Sequence, residues 1–190
     1  MIRMARNDER RSTLADAGIR VLAEEGARGL THRAVDAAAG APRGTASNYF
    51  PTRDDLIAAL VDRIGERLTP DPAANPGQGR EPDRALFAAY LRDVVRRLGA
   101  DPHVSLALFE LRLEAARRPA VADSLGKWRQ RAFEDDVKFN DRAGLPGGRT
   151  ELALFHYAID GLMLDHLTVP LTTGLSLDAV VDELVDRILK

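Results

Sequence analysis

The feature that most constrains this chain is the helical spacing of its apolar residues, which recur every three or four positions in one segment after another. An early segment shows it in Leu14, Ala17 and Val21, and the last segment shows it in Val181 and Val185. No segment has the strict alternation of apolar and polar residues that is typical of a strand. The pattern therefore predicts an all-α protein of about nine helices.

Helix boundaries and a domain division can be read from caps and breakers. Thr31, Thr52 and Ser176 each precede an apolar helical pattern as N-cap residues do, and Asp55 can complete a capping box with Thr52. Residues 69–82 hold four prolines and two glycines among small and polar residues, which indicates a linker. We therefore expect domains at residues 1–68 and 83–190, joined by the linker 69–82.

Composition narrows the class of protein. The chain has no cysteine, which excludes a disulfide scaffold and a thiolate-ligated metal site. It shows neither the apolar run of a signal peptide nor a membrane span, so a cytoplasmic protein without a membrane partner is expected. Residues 1–53 carry a net charge of +3 and the remainder −5, so one end is suited to phosphate contacts, although two ordinary solvated surfaces would look the same.

The positively charged end has the layout of a helix-turn-helix. Two short helical segments flank the break at residues 39–42, and a longer helix follows. The second short segment, from Gly44 to Phe50, carries hydrogen-bonding side chains that suit base edges in the major groove. Residues at the start of the first segment, and arginines on either side of the second, suit phosphate. A plain three-helix bundle with a polar surface is the alternative reading.

A resemblance favours the first reading. Residues 11–60 resemble the N-terminal domain of the TetR family, through the stretch from Gly29 to Gly40, then Gly44-Thr45, and then Tyr49 to Leu56. This resemblance implies a transcriptional regulator that binds double-stranded operator DNA, a repressor released by a small molecule. Together, resemblance and chemistry give a DNA-contact set of Thr31, His32, Arg33, Arg43, Gly44, Thr45, Ser47, Asn48, Tyr49 and Arg53.

Within that set we expect Ser47 and Asn48 to lie closest to bases, and Thr31, Tyr49 and Arg53 to meet phosphate. Three positions depart from the family pattern, namely Ala41, Ala46 and Ser47. The two alanines predict weaker packing between the short helices, and Ser47 lacks an aromatic ring that commonly touches DNA in relatives. The basic N-terminal residues are candidates for minor-groove contacts, with a solvated, mobile end as the alternative. They are Arg3, Arg6, Arg10 and Arg11.

For the remainder, the resemblance implies an antiparallel helical domain with a ligand pocket and a homodimer formed by the last two long helices. Apolar positions of these helices agree with such a seam, although packing within one chain would explain them too. The predicted dimer residues are Leu152, Phe155, Ile159, Leu162, Met163, Leu167, Val181, Leu184, Val185 and Ile188.

A pocket for an unknown small-molecule effector needs aromatic walls and a few polar groups. Candidates are Phe87, Tyr90, Phe109, Glu110, Trp128, Phe155, His156 and Asp160, with His166 as a further polar group, although an ordinary core role is open for each aromatic. His156 and Asp160 lack a third ligand at matching spacing, so neither a metal nor another cofactor is expected. The chain shows none of the common catalytic motifs, so no catalytic residue is predicted. A helical enzyme of unknown chemistry and an effector-independent DNA-binding dimer are the alternatives.

Overall fold

The computed structural model describes residues 2–71, 77 and 79–189, with side chains from residue 7 onward. Within these ranges the chain forms nine helices and no strand, which confirms the all-α prediction. Most of the predicted linker, residues 72–76 and 78, lies outside the described residues, as do the side chains of Arg3 and Arg6. The helices are α1 (Ile2–Gly29), α2 (His32–Ala38), α3 (Thr45–Tyr49), α4 (Arg53–Leu68), α5 (Arg84–Ala100), α6 (Pro102–Ala115), α7 (Pro119–Ala143), α8 (Arg149–Leu167) and α9 (Leu177–Ile188).

The described residues divide into two compact units. Unit 1 runs to Thr69 and includes His103–Trp128, and unit 2 consists of Pro70–Pro102 and the residues from Arg129 on. Helix α7 contributes residues to both units. This division follows contacts within the chain, so the functional boundaries predicted at 69–82 stay a prediction.

Local capping starts the helices of unit 1 where the sequence indicated. The Thr31 hydroxyl accepts a hydrogen bond from the Ala34 amide at 3.1 Å at the start of α2. At the start of α4, the Thr52 hydroxyl accepts from the Asp55 amide, and the Asp55 carboxylate accepts from the Thr52 amide at 2.9 Å. The side-chain and backbone hydrogen bonds from Thr52 lower the pKa of Asp55. These hydrogen bonds confirm both predicted caps. The sequence could predict them because the two partners of each cap are only three residues apart.

A charged cluster ties α1 to α4. The Arg63 guanidinium donates to both carboxylate oxygens of Asp16, at 2.9 and 2.8 Å, and Arg67 adds a third contact at 3.1 Å. Burial would raise the pKa of Asp16, but the hydrogen bonds and charge of the two arginines outweigh it, so this pKa lies below its usual value. The bidentate geometry fixes the direction of one helix against the other.

Helix α6 and the start of α7 share the apolar core of the N-terminal helices. Val104, Ala107 and Leu111 of α6 are buried in one cluster with residues of α1, α2 and α4. On α7, Trp128 packs against α4 at Gly65, where an added Cβ would lie 2.4 Å from the indole Nε1. Only glycine at position 65 allows this close approach. Trp128 is the single tryptophan of the chain and belongs to unit 1, so its fluorescence reports the unfolding of that unit.

Unit 2 is built around α5, α8 and α9, each of which packs against the other two. The Phe87 and Phe155 rings meet inside it with centroids 4.9 Å apart. Ser176 caps α9 as predicted, accepting from the Ala179 amide at 3.1 Å. The buried apolar side chains of this unit include Leu86, Phe87, Val95, Leu145, Leu152, Phe155, Ile159, Met163, Val181, Val185 and Leu189.

The described residues contain neither a membrane-spanning helix nor a cluster of metal-ligating side chains. None of their helices has the length and apolar character that crossing a lipid bilayer requires. No group of three or more histidine and acidic side chains in these ranges is arranged to hold a metal ion.

Candidate nucleic-acid interface

Helices α2 and α3 are joined by a six-residue turn, residues 39–44, in which Gly40 and Gly44 both have positive φ. Gly44 is the residue before α3 and has φ 87°, in the left-handed region that favours glycine. It offers no side chain to cap the helix that follows. The turn therefore redirects the chain sharply and leaves the first amides of α3 to find partners elsewhere.

Those amides are bound by Asp36, a residue absent from the predicted set. Its side chain is 3% exposed, on the buried side of α2. Oδ2 accepts from the Gly44 amide and Oδ1 from the Ala46 amide, both at 2.7 Å. The position of the Asp36 carboxylate on the apolar side of a short helix could have marked it as a structural residue. Its partners, the amides of Gly44 and Ala46, lie eight and ten residues ahead, so residue spacing could not identify them.

The hydroxyls of α3 are turned toward its own first turn. The Thr45 hydroxyl donates to the Pro42 carbonyl at 2.6 Å, and the Ser47 hydroxyl donates to the Gly44 carbonyl at 3.0 Å. Both oxygens keep lone pairs that can accept hydrogen bonds from a ligand. Ser47 and Asn48 are exposed, while Thr45 and Tyr49 are partly buried.

An open cavity of about 320 Å³ lies between α2 and the start of α3. Arg33 and Arg43 are exposed beside it, and Thr31 is exposed at the start of α2. The positive charges of the two arginines and the groove between two helix N-termini are suited to a polyanion. The lining residues are His32, Arg33, Asp36, Arg43, Gly44 and Ser47.

Two further residues of the predicted contact set, Arg53 and His32, bind backbone carbonyls of unit 1. The Arg53 guanidinium donates to the carbonyls of Leu30 and Ala27, near the end of α1. Nε2 of His32 lies 2.7 Å from the Phe50 carbonyl oxygen, to which it donates. These groups hold helix ends in place, so the phosphate contact expected of Arg53 would require the same guanidinium to serve two partners.

Two arginines of α1 likewise bind helix C-termini. Arg11 donates to the Tyr49 carbonyl at 3.1 Å and its guanidinium lies 4.7 Å from the Phe50 ring centroid, while Arg20 donates to the Ala38 carbonyl at 3.0 Å. Arg10 and Arg11 thus belong to a helix rather than to a mobile end. The positively charged side chains complement the negative ends of α3 and α2.

The alanines that depart from the family pattern remain part of the core. Ala46 is fully buried, and Ala41 packs partly buried against the same apolar cluster. Asp36 and Arg20 supply polar attachments to the two short helices, in addition to this packing.

The eight predicted effector-binding residues fall in both units. Trp128 packs on Gly65 and Glu110 approaches Gly26, both within unit 1. In unit 2, His156 lies 3.0 Å from Asp136, and Asp160 accepts from Arg129 at 3.1 Å. Phe109 belongs to unit 1, and Phe87, Tyr90 and Phe155 belong to unit 2.

Most of the predicted dimer residues pack within the protomer itself, inside unit 2. Six of them are buried there, and the other four are partly buried. The exposed side of α8 carries a different apolar set, with Leu154 and Leu164 each 46% exposed, Tyr157 68% exposed, and Gly161 between them. The buried six are Leu152, Phe155, Ile159, Met163, Val181 and Val185.

Family models match both parts of the chain. The model for bacterial regulatory proteins of the tetR family matches residues 14–60, and the model for the tetracyclin repressor-like C-terminal domain matches residues 82–190, more than half of the chain.

Curated proteins match over shorter segments. The regulator CymR of Pseudomonas putida is 28% identical over 117 residues, which cover 62% of this chain and 56% of CymR. The regulator PksA of Bacillus subtilis (strain 168) is 33% identical over 63 residues, which cover 33% of this chain and 31% of PksA. The matches therefore span less than two thirds of either relative.

Solved structures match over nearly the whole chain. A TetR family member from Streptomyces coelicolor A3 is 29% identical with a TM-score of 0.74, covering 96% of this chain and 99% of that chain. The multidrug binding protein EbrR in complex with ethidium is 28% identical with a TM-score of 0.69, covering 95% and 99%. Further EbrR structures hold proflavin and malachite green.

Proposed function

Because the chain belongs to the TetR family of bacterial regulatory proteins, we propose that it is a transcriptional regulator that binds operator DNA through α3 and responds to a small-molecule effector. The observation that supports DNA binding best is the exposed face of α2 and α3. It combines the hydrogen-bonding side chains of Ser47 and Asn48 with the positive charge of Arg33 and Arg43. We refer to α3 as the recognition helix from here on.

Within the proposed contact, Ser47 and Asn48 read bases, because both are exposed on the recognition helix and both can donate and accept hydrogen bonds. Arg33, Arg43 and Thr31 bind phosphate. His32 and Arg53 act by holding the ends of α3 and α1, through the carbonyls that they bind. A regulator of this kind catalyses no reaction, and because its proposed target is operator DNA we propose a cytoplasmic location.

We expect the variant Ser47→Ala/Asn48→Ala to lose at least about 30-fold of its affinity for a selected duplex, since it removes two base contacts per protomer and each costs ~1–3 kcal/mol. Its affinity for the same duplex in scrambled order should change less than threefold. The duplex is obtained by selection from a random pool with the wild-type protein, and binding is followed by fluorescence anisotropy.

The matched control for this experiment is Arg43→Ala, an exposed substitution beside the same groove. It should weaken binding to both duplexes alike and reduce the slope of log affinity against log salt by about 1 for each bound protomer, hence by about 2 for a dimer. Equal losses on both duplexes for the double variant would remove Ser47 and Asn48 from base recognition. Failure of the wild-type protein to enrich any sequence would contradict operator binding itself.

The effector is proposed by likeness to EbrR, whose structures hold ethidium, proflavin and malachite green. Unit 2 of this chain also offers aromatic pairs, Phe87 with Phe155 and Tyr90 with Phe139, at centroid distances of 4.9 and 5.0 Å. Aromatic rings suit a flat aromatic cation, through stacking and cation–π contacts.

We expect at least one of these three dyes to raise the free energy of unfolding by ~2.7 kcal/mol at a concentration 100 times its Kd, because it binds only the folded chain. Urea unfolding without DNA is the suitable measurement, since flat cationic dyes bind to DNA themselves. A panel with no stabilisation at any dye concentration would contradict this effector class. An effector-independent dimer would then be the better reading.

We also propose a homodimer, which places two recognition helices on two half-sites of one operator. The surface proposed for it is the exposed stripe of α8, namely Leu154, Tyr157, Gly161 and Leu164, together with the half-buried Leu184 and Ile188 of α9. The α8 positions follow at spacings of three, four and three residues, so they share one helix face, opposite the face that carries Phe155 and Ile159.

A further inference from the structure

We infer that Asp36 is the positioning residue of the recognition helix, and that its two hydrogen bonds to the Gly44 and Ala46 amides determine how precisely bases are read. The inference deepens the proposed function and rests on it. Asp36 is 3% exposed, and each of its oxygens is engaged by one amide at 2.7 Å. It therefore acts through α3 rather than by touching DNA.

The recognition helix depends on an outside cap because it is short. It has five residues, so most of its amides belong to its first turn and lack partners within the helix. The preceding residue, Gly44, cannot cap it with a side chain. The bond to the Ala46 amide is buried, so water cannot replace its acceptor, whereas the bond to the Gly44 amide is partly buried. In both bonds an ionised carboxylate is a stronger acceptor than a neutral group.

Two hydrogen bonds to Asp36 restrict the movement of α3 more than one hydrogen bond would. With a single hydrogen bond, a short helix can still rotate about that bond, whereas bonds to Gly44 and Ala46 together fix both its position and its rotation on α2. Ser47 follows directly after the second attachment point, and Asn48 follows Ser47. Rotation of the helix would therefore displace these two side chains directly.

The test substitutes Asp36→Asn, which keeps the size of the side chain but turns one acceptor into a donor facing an amide. We expect affinity for the selected duplex to fall by about 10- to 100-fold, in line with the loss of a buried charged hydrogen bond. Affinity for the scrambled duplex should stay equal or rise slightly, because a negative charge near the phosphates has been removed. The charge effect alone would strengthen binding to both duplexes, so it cannot imitate the expected loss.

Val35→Ala is the control variant. Val35 is the neighbouring residue on α2, is fully buried in the core, and makes no side-chain hydrogen bond to α3. It should lower the midpoint of thermal unfolding while preserving the ratio of the two affinities, measured well below that midpoint. An unchanged ratio for Asp36→Asn, or an equal fall of the ratio in Val35→Ala, would overturn the inference.

A measurement on the wild-type protein covers the case in which Asp36→Asn fails to fold. The Gly44 and Ala46 amides should exchange with deuterium as slowly as the core amides of α2, although they lie at the start of a short helix near the surface. Rapid exchange at these two amides would overturn the inference whatever the variants show. A wild-type protein that selects no sequence would instead contradict the proposed function, while the exchange of the two amides still reports on the cap.

Discussion

Gly161→Arg is expected to convert the protein into a monomer and to reduce its affinity for the selected operator by roughly 10³-fold or more, because a monomer engages one half-site instead of two. Gly161 lies in the middle of the exposed stripe of α8, where an added Cβ meets no described atom within 4 Å apart from its chain neighbours and the backbone of its own helix. The substitution therefore leaves the protomer intact and replaces a helical glycine by a better helix former. In a dimer, the same side chain would place a bulky charge in the seam, without a partner.

The chain provides a closely matched control in Gly126→Arg. Gly126 is also a helical glycine with no atom within 4 Å of an added Cβ, but it lies on α7, outside the stripe. Sedimentation velocity at micromolar concentration should show a dimer for the wild-type protein and Gly126→Arg, and a monomer for Gly161→Arg. A dimeric Gly161→Arg with full operator affinity would contradict the proposed seam.

Phe50→Ala is expected to lower the free energy of unfolding of unit 1 by ~3–5 kcal/mol, the usual cost of truncating a buried aromatic residue. The ring is fully buried in the core at the end of the recognition helix, and Arg11 lies over it. Since whole domains are stabilised by only ~5–15 kcal/mol, this loss should weaken operator binding at physiological temperature as well. Urea unfolding followed by the fluorescence of Trp128, which lies in unit 1, measures it directly.

The comparison for Phe50 is the same truncation at an exposed site. Phe139 is 45% exposed and meets Tyr90 edge-on at a centroid distance of 5.0 Å. Phe139→Ala should cost clearly less, ~1–2.5 kcal/mol, because about half of the ring is already exposed and the ring pair adds only ~0.5–1.5 kcal/mol to the lost burial. Because Phe139 lies in unit 2, unfolding of this variant is followed by far-UV circular dichroism. Comparable losses in the two variants would show that the core does not depend on Phe50 as its burial implies.

Features set by neighbouring residues could be predicted from the sequence. The caps at Thr31, Thr52 and Ser176 join groups three residues apart, so the sequence displays both partners at once. The end of a helix can be equally local: α7 ends at Ala143, directly before Gly144 with φ 65°.

Features set by distant partners could not be predicted. Arg53 was predicted to bind phosphate because it is a cation beside the recognition helix. Its partners are the carbonyls of Leu30 and Ala27, which precede α2 in the chain, and such a distant pairing cannot be read from the sequence. Asp36 looked like an ordinary helical residue for the same reason. Six of the predicted dimer residues came from α8, which is apolar on two sides, so periodicity could not say which side the protomer itself buries.

The all-α class, the order of the helices, the helix-turn-helix and its family can be read from the amino-acid sequence, because periodicity, caps and a long motif are local properties of the chain. The polar groups that support the recognition helix, and the face of α8 that is left exposed, become visible in the folded chain alone. Both depend on contacts between residues far apart in the sequence. Burial turns Asp36 from one more charge on a helix into the group that binds the first amides of α3.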